Sequence, residues 1–269
     1  MDKLKKTLAQ LFGSILKNKL LFISLILIQI FFIVMASSSL INYQVKILDD
    51  VSKVMDPIQN ANYDDKSLQD GASFLKDFVQ LNNGFDSLKT NLYKLALTQL
   101  IIFTIFNGLL WTLSFNFFRK EKMKIKNFIM QLFNFTTITL VGTILFAIIS
   151  TFTIKTFYWQ SIMQGDFSSA ADSLFIIFIA LYFFMVLAYL NLNQKLNLKI
   201  QLKNYLNNLK NYKLAIIYLV GLVIIAIILY LINIFMQTFY TSLFLVLLLL
   251  ITINLLRLYL IINKNHNQH

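Results

Sequence analysis

Apolar and polar positions do not alternate along this chain. They segregate into blocks. Six apolar blocks stand out, at Leu20–Ile41, Leu95–Phe115, Leu132–Ile154, Ser173–Asn193, Leu214–Met236 and Tyr240–Ile262. Each matches the roughly 20 residues that a helix needs to cross about 30 Å of hydrocarbon. The pattern predicts an all-α polytopic membrane bundle of six transmembrane helices, with residues 1–269 as a single membrane domain.

Between the first two blocks lies a mixed interval, 43–94, which predicts a small helical insert outside the membrane. Leu68, Phe74, Leu75, Phe78 and Val79 fit a short amphipathic helix. Pro57, Gly71, Asn82, Asn83 and Gly84 read as turn signals. Phe85, Leu88, Leu92 and Leu95 then fit a helix running into span two.

A second periodicity precedes the odd-numbered spans. Leu4, Leu8, Leu11, Phe12 and Ile15 follow helical spacing, and Leu198, Leu202, Tyr205, Leu206 and Leu209 repeat it. Ile125, Ile129, Leu132 and Phe133 repeat its first part. These three stretches are basic, which predicts three amphipathic helices lying in the membrane plane, apolar face down and lysines toward anionic headgroups.

Charge placement predicts orientation. Lys3, Lys5, Lys6, Lys17 and Lys19 precede span one; Arg119, Lys120, Lys122, Lys124 and Lys126 follow span two; Lys195, Lys199, Lys203, Lys210 and Lys213 follow span four. The long first loop is acidic on balance. By the positive-inside rule, both termini lie in the cytoplasm and the protein sits in the cell membrane. Met35 to Ser39, at the end of the first block, would suit a signal-peptidase site, but the long basic lead favours an uncleaved span. Trp111, Phe117 and Phe118, and Phe157, Tyr158 and Trp159 at the opposite end, are expected at headgroup level.

Composition agrees with this reading. The chain is 58% hydrophobic and 13% charged, with mean hydropathy +0.68. Its net charge of +12 is accounted for by the topology, so nucleic acid is not expected as a partner. With no cysteine, thiol chemistry is excluded, and His266 and His269 fall in a polar tail where no metal role is expected. Asp49-Asp50 and Asp64-Asp65 lack the spacing of a calcium loop.

The predicted spans contain no Asp, Glu, Lys or His. Arg257 falls near the end of span six, where it is expected to snorkel. Phosphate-binding signatures are missing too, so neither enzyme activity nor a cofactor is expected. The sequon at Asn134-Phe135-Thr136 falls at span three and is not expected to carry glycan. Gly108, Gly142 and Gly221 are expected to serve close helix packing. Gln29, Asn107 and Asn254 lie well inside spans, as do Thr139 and Thr143. Each needs a partner in hydrocarbon, as bundle contacts or as the lining of a polar path or headgroup site.

Two functional readings follow. In the first, a non-enzymatic membrane protein organises lipid, anionic above all, or recruits a cytoplasmic partner. The contacts would be Lys5, Lys17, Lys120, Lys124, Lys126, Lys199, Lys203 and Lys210. The second rests on architecture. Six spans, inside termini, a leading amphipathic helix, a basic loop after span two and an insert between the first spans together resemble the ABC-2 type export permeases. That resemblance implies a permease subunit, paired or pseudo-paired, with a separate ATPase docking near Arg119–Lys126.

Overall fold

The structure, a computed structural model, describes residues 2–60, 72–118, 125–164, 168–191, 212–235 and 239–266. These form seven helices: α1 (Asp2–Lys17), α2 (Lys19–Asn60), α3 (Ala72–Asn116), α4 (Ile125–Gln164), α5 (Ser168–Asn191), α6 (Tyr212–Phe235) and α7 (Phe239–His266). Six of them, α2 to α7, are long and apolar enough to span a membrane. This is the construction of a multi-pass membrane protein.

Helix length departs from the sequence expectation. α2, α3 and α4 have 42, 45 and 40 residues. At 1.5 Å per residue they are about 60 Å or more long, roughly twice the hydrocarbon thickness. Hydroxyl side chains on these helices commonly donate to the carbonyl one turn back. Thr98 does so to Lys94, Thr137 to Phe133, Thr151 to Ala147 and Thr153 to Ile149. Such bonds let an exposed hydroxyl face an apolar medium without an unsatisfied donor.

The chain divides into two compact units, one of residues 1–30 and 104–269, the other of residues 31–103. The divisions fall inside α2 and α3.

In the 31–103 unit the two helix segments run antiparallel. Val54 meets Gly84, Asp50 meets Ser87 and Asn91, and the carbonyl of Ala36 meets Gln99. Ser87 and Asn91 donate to the two oxygens of the buried Asp50 carboxylate at 2.7 and 2.6 Å. Gln99 donates to Ala36 at 2.9 Å.

The expected turn at Asn82, Asn83 and Gly84 does not form; all three residues lie inside α3, and Pro57 lies inside α2. Gly84 serves packing instead. A Cβ there would stand 2.8 Å from Cγ2 of Val54 and 3.4 Å from its backbone nitrogen. The missing side chain lets the two helices approach, and that contact outweighs the local turn preference. Gly71 and Leu68 lie outside the described residues.

In the other unit, α1 packs on α7, α4 on α5, α5 on α6 and α6 on α7. α1 meets α2 at Asn18, whose backbone bonds bridge the junction in both directions, to Ser14 and from Phe22. The Asn18 side chain donates to the carbonyl of Phe117 at 3.0 Å, tying the junction to the end of α3. Around it, Leu11, Leu25, Leu110, Phe117, Leu258 and Ile262 form one apolar cluster. Both terminal helices therefore share one end of the unit, called here the α1 end.

Of the three basic amphipathic stretches, the first is α1. The second does not form a helix of its own, because Ile125–Phe133 makes the opening turns of α4 without a break. No helix breaker separates it from the span, so the helix simply continues. The third, Leu198–Leu209, lies outside the described residues.

Gly108 faces α4 so closely that a Cβ would collide with the Thr136 hydroxyl and stand 3.0 Å from its Cα. At Gly142 the obstacle is the Met185 thioether, and at Gly13 nothing lies within 4 Å. Gly108→Ala is expected to destabilise by about 1–3 kcal/mol, because backbone cannot yield. Gly142→Ala should cost less, because methionine re-packs, and Gly13→Ala should be neutral or stabilising by up to about 1 kcal/mol. Thermal melts in detergent give the order. The antiparallel pairing is checked separately in this cysteine-free chain: Val54→Cys with Gly84→Cys should form an intrachain disulfide on mild oxidation, and neither single variant should.

Candidate functional site

Most buried polar side chains of the larger unit sit on stripes of α3, α4, α5 and α7, with Thr7 on α1 and Gln29 on α2 beside them. On α3 the stripe is Thr104, Asn107, Gly108, Trp111, Thr112 and Phe115, at helical spacing. On α4 it is Gln131, Phe135, Thr139 and Thr143; on α5 it centres on Tyr189; on α7 it is Asn254, Arg257, Leu258, Ile261 and Lys264.

Of the three polar residues singled out in the sequence, the structure brings two together. Asn254 donates to Gln29 Oε1 at 2.9 Å, both side chains buried, joining α7 to α2 across 225 positions. Asn107 belongs to a different node. It donates to the Tyr189 hydroxyl at 2.8 Å, and that hydroxyl lies 2.6 Å from Thr139 Oγ1. Thr139 already gives its proton to the Phe135 carbonyl at 2.8 Å. The Tyr189 proton must therefore go to Thr139. The result is a directed chain, Asn107 to Tyr189 to Thr139 to Phe135, in which each bond polarises the next. It clamps α3, α4 and α5.

Two further bonds tie α3 to α4. Thr143 donates to Leu140, so Thr104 is the donor to Thr143 at 3.3 Å. Asn116 donates to Gln131 Oε1 at 2.9 Å.

Beside the Tyr189 chain stands an aromatic box. Trp111 lies 4.7 Å from Tyr189 and 6.0 Å from Tyr218, and Phe135 lies 5.2 Å from Phe115 and 5.5 Å from Tyr189, between ring centroids. Trp111 and Phe117, expected at headgroup level, are instead fully enclosed by protein. Neighbouring helices cover them because α3 is surrounded on every side toward the α1 end.

Arg257 belongs to this box and does not snorkel. It is 3% exposed, and its guanidinium carbon lies 5.4 Å from the centre of the Trp111 ring. Arg257 and Trp111 face each other from neighbouring stripes, and stacking on the ring replaces the reach toward water. Two turns along the same face of α7, the Lys264 ammonium lies 4.9 Å from the Phe115 ring. Arg257 Nε and Nη1 are buried with no hydrogen-bond partner among the described residues, and so is Trp111 Nε1.

Of the lysines singled out in the sequence, Lys5 and Lys17 are exposed on α1 and Lys126 on α4. Lys120, Lys124, Lys199, Lys203 and Lys210 lie outside the described residues. No group of three or more histidine and carboxylate side chains able to hold a metal occurs among the described residues.

Sequence reasoning did not find Tyr189, Gln131 or the pairing of Arg257 with Trp111. Tyr189 had one usable signal: a tyrosine hydroxyl deep in an apolar run must find a partner. Its partners sit 50 and 82 positions away and leave no local trace.

Tyr189→Phe is expected to destabilise the protein by about 1–3 kcal/mol, because it leaves the buried Asn107 amide without its acceptor. A double-mutant cycle on Gln29→Leu and Asn254→Leu should return a coupling of about 0.6–2 kcal/mol. Both are read from unfolding in detergent, and a coupling of zero would contradict the bond.

No family model, no curated protein and no solved structure matches this chain.

Proposed function

We propose that this chain is a non-enzymatic integral membrane protein. In this reading it organises anionic lipid and offers a docking face to a partner at its cytoplasmic side, which is the α1 end. The observation that carries it is the way α1 is held. Leu11 is buried, and Ile15 packs against the same cluster. Leu8, Phe12 and Leu16 form a second apolar line that points outward, with Lys5, Lys17 and Lys19 exposed beside it. A helix fixed to the bundle by one edge, with an apolar line and lysines free on the other, is arranged to meet the boundary between acyl chains and anionic headgroups. The basic balance of this end supports the orientation, with both termini cytoplasmic.

The lysines would supply attraction and the apolar line depth. Each lysine near an anionic leaflet contributes about 1 kcal/mol, equal to roughly fivefold in affinity. The absence of carboxylate, histidine and cysteine from the predicted spans supports a role without catalysis.

Retention of lipid by the purified protein, followed by native mass spectrometry, tests this reading. Replacing Lys5, Lys17 and Lys19 by Gln should release anionic lipid in preference to zwitterionic lipid, each substitution weakening binding by up to about fivefold. Equal retention by wild type and the triple variant would overturn the lipid role of α1. A stoichiometric ATPase in the same preparations, lost when Lys120, Lys122, Lys124 and Lys126 are neutralised, would establish the permease-subunit reading in its place.

A further inference from the structure

We propose that Arg257 is an anion-binding residue. Its guanidinium, with the Trp111 indole N–H, would receive a phosphate oxyanion reaching the box from the α1 end.

Arginine stays protonated in proteins, so Arg257 cannot shed its charge as a buried lysine can. It is 3% exposed, and Nε and Nη1 have no hydrogen-bond partner among the described residues. Nor do the predicted spans hold an Asp or Glu that could neutralise it. Stacking on Trp111 stabilises the cation through the ring but leaves the Nε and Nη1 N–H groups without a partner among the described residues. A buried charge with orphaned donors is among the costliest arrangements a bundle can contain.

The neighbouring groups indicate the sign of the missing partner. Trp111 Nε1 is also a buried, orphaned donor, and a tryptophan N–H cannot accept a bond. Among the described residues the buried Tyr218 hydroxyl and Asn254 Oδ1 are without partners as well and could each accept a bond, but both are neutral and leave the Arg257 charge uncompensated. Lys264, two turns toward the α1 end on the same face of α7, places a buried amine against the Phe115 ring. A water or a neutral acceptor would satisfy single bonds but leave the charge. An oxyanion satisfies both. Phosphate is the oxyanion that membrane headgroups present in abundance, and guanidinium is suited to it.

The proposal deepens the lipid reading given above, since a headgroup phosphate is one source of the ligand. Free inorganic phosphate is the other. It concerns residues distinct from the α1 lysines, so the two readings can fail separately.

The test is thermal stability of the full chain in neutral detergent, with dioleoyl phosphatidic acid, dioleoyl phosphatidylcholine or inorganic phosphate added. Arg257→Met, Trp111→Phe and the triple Lys5, Lys17 and Lys19 to Gln variant are compared with wild type. Phosphatidic acid is expected to raise the wild-type melting temperature by roughly 5 °C at saturation. Trp111→Phe keeps a six-membered aromatic ring but removes the pyrrole ring and its N–H from a fully buried position, so it should fold with a lower melting temperature and show a smaller shift with phosphatidic acid. Arg257→Met should show none, and the triple variant should keep it. Stabilisation by phosphatidic acid alone identifies the lipid headgroup as the source; an equal shift with inorganic phosphate identifies the free ion. No shift with either phosphate, or a full shift surviving in both Trp111→Phe and Arg257→Met, overturns the proposal. A shift lost only in the triple variant also overturns it and assigns the effect to α1. If Arg257→Met does not fold, Trp111→Phe decides: an undiminished shift in that variant overturns the proposal.

Discussion

Hydrocarbon offers a polar side chain no hydrogen bond, so a helix that crosses it must bury such groups against other helices. This constraint organises the larger unit of the chain. The bond from Asn254 to Gln29 holds α7 to α2, and the chain from Asn107 through Tyr189 to Thr139 holds α3, α5 and α4 together. Because burial among lipid-like side chains gives little net drive for helix association, a few directed bonds and close contacts carry a large share of the specificity. The helices are turned so that their polar stripes face inward, and leucine, isoleucine and phenylalanine face out as a consequence.

Close approach is the second half of the same logic. Dispersion attraction is short-ranged, and helices gain from it only where side chains are small enough to let backbones meet. Gly108 does this against Thr136, one turn before Thr112 and next to Asn107. The polar chain and the glycine contact therefore occupy the same stretch of α3. In the 31–103 unit, Gly84 plays the corresponding part against Val54, beside the buried Asp50 carboxylate with its two donors.

Arg257 departs from this economy. It is the buried cation of the site, placed against an aromatic face with Nε and Nη1 without a partner among the described residues. The aromatic box holds the cation in a fixed position without quenching it. A charge held this way is a feature of binding sites more than of scaffolds, and it lies on the helix that packs against α1. The exposed apolar edge of α1 and the cation in the box thus belong to one end of one unit.

Much of the fold was legible in the sequence, because spanning a membrane is a local property. Twenty apolar residues are needed and nothing else in the chain has to agree, so all six spans were found, with boundaries set too short for α2, α3 and α4. Those helices continue because no local signal stopped them, and the Asn82-Asn83-Gly84 signal was overridden by the contact of Gly84 with Val54. Gln29, Asn107 and Asn254 were also visible, since a polar residue in an apolar run is conspicuous by itself. Their partners were not. That Gln29 meets Asn254, that Asn107 meets Tyr189, and that Arg257 stacks on Trp111 instead of reaching water were decided only when helices far apart in the chain came side by side. Local composition determines which segments enter the hydrocarbon; the packing of one helix against another determines which polar groups are satisfied there and which are left waiting.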